Sequence, residues 1–144
     1  MPRISLVNFA IGFWTLFIAA ASGAFIATDL TASYVAEQAI NPTWNTVLLS
    51  SAHGHTNLFG LLHIAFGLTL PYSRLGPRWQ VLQSAGLSCG ILAMGPGMFI
   101  RSLYPPVADG TDSIGLVLGL LLSAALATLF SHAAALTSRC IARK

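Results

Sequence analysis

The sequence predicts an all-α fold, a bundle of four transmembrane helices forming one domain. Three observations carry that reading. Charged residues make up only 8% of the 144 positions while 55% are hydrophobic, against roughly 25% charged in a soluble domain. So few charges cannot cover a water-facing surface, and a mean hydropathy of +0.74 makes the bilayer the main solvent. Four separate stretches reach the roughly 20 mostly apolar residues that a membrane-spanning helix needs. Threading those stretches in alternate directions also gathers nearly all the basic residues on one side.

The first stretch covers residues 8–28. It ends in small residues, Ala19-Ala20-Ala21-Ser22-Gly23-Ala24, as a signal peptide does. The single arginine ahead of it and the length of the apolar run favour a retained span instead. The second covers 47–70 as the inner part of a longer helix. Asn41-Pro42 reads as an N-cap followed by proline at the first helical position, and Pro71 closes the far end. The third covers 79–100, with Gly95-Pro96-Gly97 expected to kink it near its outer end. The fourth covers 113–137. Connections are short or medium, with no linker or second domain. Cys89 and Cys140 read as free thiols, and nothing resembles the paired spacing of a structural zinc site.

Six basic residues, Arg3, Arg74, Arg78, Arg139, Arg143 and Lys144, share one side of this layout. Arg101 and all four acids, Asp29, Glu37, Asp109 and Asp112, take the other. The positive-inside rule then places both termini in the cytoplasm, as for a protein of the bacterial inner membrane. The second helix therefore runs inward from the outer face.

Four histidines, His53, His55, His63 and His132, lie in or near spans. Ionisable side chains in lipid are functional candidates by default, and neutral imidazole is the commonest metal ligand. His132 reads as a core residue bonded within the bundle; His63 is open between core and cofactor; His53 and His55 read as the site. Residues two apart on a helix are separated by about 200°, so His53 and His55 point to nearly opposite sides and serve different neighbours. At 1.5 Å of rise per residue, His55 lies about 9 Å outside the midplane and His132 about 11 Å inside it. His63 is about 12 Å from His55 along the same helix. No intrachain pair spans one iron, so a second axial ligand has to come from another copy of the chain.

The surroundings suit a large flat ligand. Gly54, Gly60 and Gly67 on the second helix and Gly86, Gly90, Gly95 and Gly97 on the third allow close backbone approach, although ordinary helix packing explains most of them. Met94 and Met98 flank the expected kink at the depth of the histidine pair. Arg101 suits carboxylates such as haem propionates, or simply snorkels to the interface.

The run Ser51-Ala52-His53-Gly54-His55-Thr56-Asn57-Leu58-Phe59-Gly60 resembles the ligand-bearing helices of haem-copper oxidase subunit I. Its His-Thr-Asn-Leu portion resembles the second helix of the nitric oxide reductase large subunit, where that histidine binds low-spin haem b. The His-x-His arrangement is similar to the tenth helix of the oxidases, where two histidines serve two haems. The chain also resembles small four-helix bacterial membrane proteins labelled oxidase-like. The resemblance implies haem b, with His55 as first ligand and His53 as second. Twelve helices form three arcs of four in the large family members, so one four-helix chain implies a homotrimeric ring. Adjacent histidines for a copper centre, a cross-linking tyrosine pattern and intramembrane acids are missing, which argues against proton-pumping oxygen reduction.

Three functions follow as expectations. The first is a haem b protein for electron transfer or gas binding, without committed enzyme activity. The second is a copper-binding protein using His53 and His55 with the thioethers of Met94 and Met98, which suit Cu(I). The third is an assembly subunit without a cofactor. The partner in each case is lipid and further copies of the chain, a trimer first and a dimer second, and not nucleic acid. Topology is tested directly by reporter fusions: one placed after Arg78 should report from the cytoplasm and one near Asp109 from the outside, and the reverse pattern would overturn the orientation.

Overall fold

The structure is a computed structural model and describes residues 1–36, 43–106 and 110–142. The expected cap at Asn41-Pro42 lies outside these, as do Glu37, Asp109, Arg143 and Lys144. Helix α1 runs Arg3–Val35 and α2 runs Trp44–Thr69, followed by a 3-10 turn at Leu70–Tyr72. Helix α3, Pro77–Leu103, comprises an α-helical section Pro77–Leu92, a π turn at Ala93–Gly97 and an outer section Met98–Leu103. Helix α4 runs Ser113–Ile141.

Every helix extends beyond the apolar stretch that announces it, at one end or both. Hydropathy marks only the part within the hydrocarbon, whereas the backbone keeps its internal hydrogen bonds through the headgroup region. The starts are set locally. Thr43 caps α2 by accepting the N–H of Thr46 at 3.3 Å. Pro77 occupies the first turn of α3, where its missing N–H is no loss. Asp112 caps α4 by accepting the N–H of Gly115 at 2.9 Å.

Helices α1, α3 and α4, of 33, 27 and 29 residues, are long and apolar enough to cross a membrane. Four such helices were expected. At 26 residues α2 has the length, but its histidines, Ser50, Ser51, Thr56 and Asn57 lower its apolarity. Most of that polar surface faces the neighbouring helices. The outward face of α2 is Val47, Leu58, Leu61 and Leu68, with Gly54 and His55 on the same side.

The helices are ordered as an arc. Helix α1 packs along α2, α2 packs against α3, and α3 packs along α4, while α1 and α4 do not pack along each other. The core, between α2, α3 and α4, is Phe59, Phe66, Leu70, Leu87 and Ala125. The outer faces of the end helices carry exposed Phe13, Trp14, Phe17 and Phe25 on α1, and Leu116, Leu120, Leu126 and Phe130 on α4. Arg3, Arg74, Arg78 and Arg139 lie at one end of the arc, where the Arg139 guanidinium donates to the Tyr72 carbonyl.

Close approach depends on a few glycines. A methyl group on Gly12 would meet the carbonyl oxygen of Gly60 at 2.7 Å, so these two helices cross with backbone nearly touching. At Gly90 the space a side chain needs is filled by the buried ring of Phe59. Overpacking of this kind costs about 1–3 kcal/mol. Gly90→Ala should therefore lower the unfolding temperature in detergent, whereas Gly119→Ala, which meets nothing within 4 Å, should leave it unchanged or raise it slightly. Equal behaviour of the two variants in a thermal melt would show that the α2–α3 contact is not set by that ring.

Candidate functional site

The four histidines divide into two kinds by how their ring nitrogens are used. His63 is fully buried. Its Nδ1 lies 2.9 Å from Asn8 Oδ1. The amide nitrogen of Asn8 is committed to the Ile4 carbonyl at 2.9 Å and Ser84 Oγ at 2.7 Å. The Asn8 oxygen must therefore accept, and His63 donates from Nδ1. The Ser88 hydroxyl sits 3.4 Å from Nε2. His63 thus ties α2 to α1 and α3.

His132 does the same nearer the basic end. Its Nδ1 donates to Gln83 Oε1 at 3.1 Å, and its Nε2 lies 2.8 Å from Thr69 Oγ1. Gln83 passes its own N–H to Ser131 at 3.1 Å. The ring lies against Phe66, with centroids 4.1 Å apart. Nδ1 of His63 and of His132 donates to a side-chain amide oxygen of a neighbouring helix, while each Nε2 lies near a hydroxyl that also bonds a carbonyl of its own helix, Ser88 that of Ser84 and Thr69 that of Ala65.

His53 and His55 are used differently. His53 Nδ1 is 2.8 Å from the Ala19 carbonyl oxygen, and His55 Nδ1 is 2.9 Å from the Ser51 carbonyl oxygen. A carbonyl has no proton, so each imidazole carries its proton on Nδ1 and leaves Nε2 unprotonated. Metal-binding histidines are held in this way, one ring nitrogen donating to a carbonyl and the other turned to the metal. On His55 the bare nitrogen belongs to an exposed side chain with no partner at Nε2 among the described residues. On His53 Nε2 faces the Asn57 amide at 3.3 Å, whose other proton goes to the His53 carbonyl at 3.1 Å.

The two rings lie on opposite sides of α2, but the partners differ from expectation. His53 does not reach toward a second copy of the chain. Its ring fills the space above Gly23 on α1, where a side chain would collide with it. His55 alone faces outward. With α2 beginning at Trp44, His53 lies about 14 Å along the axis from that end.

Arg101 has a partner that the sequence did not suggest. Its Nη1 and Nη2 each donate to one carboxylate oxygen of Asp112 at 2.6 Å. Its guanidinium carbon also lies 5.7 Å from the centre of the Trp44 ring, and its carbonyl accepts the Trp44 indole N–H at 3.1 Å. The fork expected for propionates is thus turned onto Asp112. Met94 packs against the apolar core, and Met98 is half-buried beyond the π turn. Among the described residues no three His, Cys, Asp or Glu side chains converge as a metal cluster. Cys89 and Cys140 are free thiols.

Beside His53 a cavity of about 320 Å³ lies between α1, α2 and the π turn of α3. No protein family, curated protein or solved structure matches the chain.

Asn8 was passed over in the sequence, although a lone amide in an apolar run is a signal for an interhelical link. The Arg101–Asp112 pair had no such signal, because the loop between them determines which residues meet. The pair makes a test at acid pH. Asp112 titrates below its ordinary value of 3.8, held there first by the Gly115 N–H and then by Arg101. A depressed folded-state value contributes stability that is present above the unfolded value and lost as pH falls through the folded one. The wild-type melting temperature should therefore fall as pH drops below about 4, and Asp112→Asn should show a shallower acid slope; parallel slopes would dismiss the clamp.

Proposed function

We propose that the chain is an integral membrane haem b protein, binding haem noncovalently through His55 in a closed homo-oligomer. Its role is electron transfer or binding of a diatomic gas, not proton-pumping oxygen reduction. The observation that carries the reading is the outward-facing His55 ring, with Nδ1–H fixed on the Ser51 carbonyl and Nε2 without a partner among the described residues. An imidazole nitrogen in lipid without a partner is costly. A ligand on the adjacent apolar face of Val47, Gly54, Leu58 and Leu61 satisfies both the nitrogen and the face.

The donor set suits haem more than a free ion. A single neutral imidazole beside an apolar surface is the environment of an axial haem ligand, whereas a bare cation needs several converging donors. When bound, haem would supply a one-electron couple and a coordination position for a gas. The protein's own part is to fix the tautomer of His55, through Ser51, and to keep water from the face. His63 and His132 belong to packing, and His53 to the interior of the protomer. No Cys-x-x-Cys-His attachment signature is present.

The assembly follows from the same exposure. The trimeric ring implied by the oxidase resemblance places one His55 at each interface and gives one haem per chain. A two-fold dimer brings two His55 rings to one haem and gives one per two chains. The orientation in this reading is N-in and C-in in a bacterial inner membrane.

The visible spectrum and haem content of the protein purified in mild detergent test the proposal. Wild type and His132→Ala should show a Soret band, and His55→Ala should lose at least nine-tenths of it. A full wild-type spectrum in His55→Ala overturns the ligand assignment. Bound copper without a Soret band replaces the haem reading by a copper-binding one. Native mass measurement alongside haem content separates the ring from the dimer.

A further inference from the structure

The cavity beside His53 holds a chemistry that the His55 face does not. Its walls are largely apolar, with Ile18 from α1, Ala52 from α2, and Pro96 and Phe99 from α3. Ile18, Pro96 and Phe99 are exposed to the surroundings, so the cavity opens sideways toward the bilayer. Two polar side chains of α2, His53 and Thr56, line it. They stand three residues apart, and such positions are neighbours on one helix face.

Both have hydrogen-bonding capacity to spare. His53 Nε2 is an acceptor, because the ring proton is spent on Ala19, and its one protein contact is the Asn57 amide of the same helix at 3.3 Å. Thr56 is only 8% exposed, yet its hydroxyl has no hydrogen-bond partner among the described residues. Threonine in a helix commonly returns its proton to the carbonyl four residues back. Thr28, Thr31 and Thr69 do so here, at 2.8 to 2.9 Å, whereas the buried Thr15, Thr56 and Thr128 do not. Thr56 instead lies across from Gly95 at the π turn, where a methyl group would sit 3.4 Å from its Oγ1. The absence of a side chain at Gly95 leaves space in front of the hydroxyl.

We infer that this cavity is a binding site for a neutral hydroxylated ring, the phenol-type headgroup of a membrane-soluble molecule. A ligand hydroxyl both donates and accepts, so it complements the free Thr56 hydroxyl and offers His53 Nε2 a donor in place of the 3.3 Å Asn57 contact. A carbonyl cannot donate to Nε2. A carboxylate would enter an apolar wall with no cation among the residues that line it. A volume of about 320 Å³ is at the small end of ligand sites and suits one six-membered ring between Phe99 and Pro96. The site is separate from the haem reading, since it uses the inner face of α2 and His55 is on the outer.

The test uses the full-length protein in detergent, labelled with ¹⁵N at histidine, and phenol as the probe, with anisole and benzene as comparators. Phenol should move the His53 Nε2 resonance and leave His55, His63 and His132 in place. It should bind at least tenfold more tightly than anisole, which has the same ring and no hydroxyl proton. Thr56→Val, nearly the same shape without the hydroxyl, should remove that preference while benzene binding and haem content stay unchanged. Equal binding of phenol and anisole to wild type, which needs no variant to fold, overturns the proposal and marks the cavity as filled by lipid tails. A phenol shift at His55 instead of His53 overturns it as well. Loss of haem from His55→Ala with phenol binding intact leaves the two sites distinct; failure of either test leaves the other standing.

Discussion

In hydrocarbon there is no water to satisfy a polar group, so each polar atom of α2 needs a partner in the protein or in something bound to it. That constraint organises the bundle. The polar residues of α2 are distributed around most of its circumference, and the neighbouring helices have answering groups at matching levels. Asn8 on α1 and Ser88 on α3 meet His63. Thr69 and Gln83 meet His132 from α2 and α3. The Ala19 carbonyl of α1 meets His53. Apolar contact between helices gains little over contact with lipid, so these polar links and the close approaches at Gly12 and Gly90 are what distinguish the native packing from other arrangements of four greasy rods.

The same constraint separates structure from chemistry. His63 and His132 donate from Nδ1 to side chains of neighbouring helices and behave as interhelical bolts. His53 and His55 donate from Nδ1 to backbone carbonyls, and Nε2 of His55 meets no described residue. Histidines within a single helix thus have different roles, and the difference lies in what stands opposite each ring. The end of the bundle opposite Arg3, Arg74, Arg78 and Arg139 is built on another principle. Trp44, Arg101 and Asp112 join the starts of α2 and α4 to the end of α3 through an indole hydrogen bond, a cation–aromatic contact and a two-pronged ion pair. At this level the groups are close to water, so geometry rather than burial is what holds them together.

How far the sequence could be read follows from these distinctions. Apolar runs show where a helix crosses lipid, and four helices were legible, with ends misjudged because hydropathy is silent about helical turns in the headgroup region. The 200° between His53 and His55 follows from helix geometry alone and holds in the structure. What a ring meets on its own side does not follow from it: His53 is covered by α1 because Gly23 lies opposite, and no periodicity within α2 contains that information. Gly95-Pro96-Gly97 announced a break in α3, but its form, a π turn, depends on how the backbone bonds are reassigned. Thr56 drew notice only as part of a motif. Its importance comes from a hydroxyl left without the usual carbonyl, and that is visible only with all three helices in place.

The π turn has a consequence for the history of the chain. A π turn holds one residue more than the α-helical ladder it interrupts, and one residue corresponds to about 100° of rotation. Deleting a single position between Ala93 and Gly97 would restore an unbroken ladder and swing the outer section of α3 round by that angle. Arg101 would turn away from Asp112, and Phe99 from the cavity beside His53. The insertion therefore sets the phase between two halves of one helix, so that the inner half can pack on Phe59 while the outer half meets Trp44 and α4. Among related chains, length in this segment should be far less free to vary than residue identity.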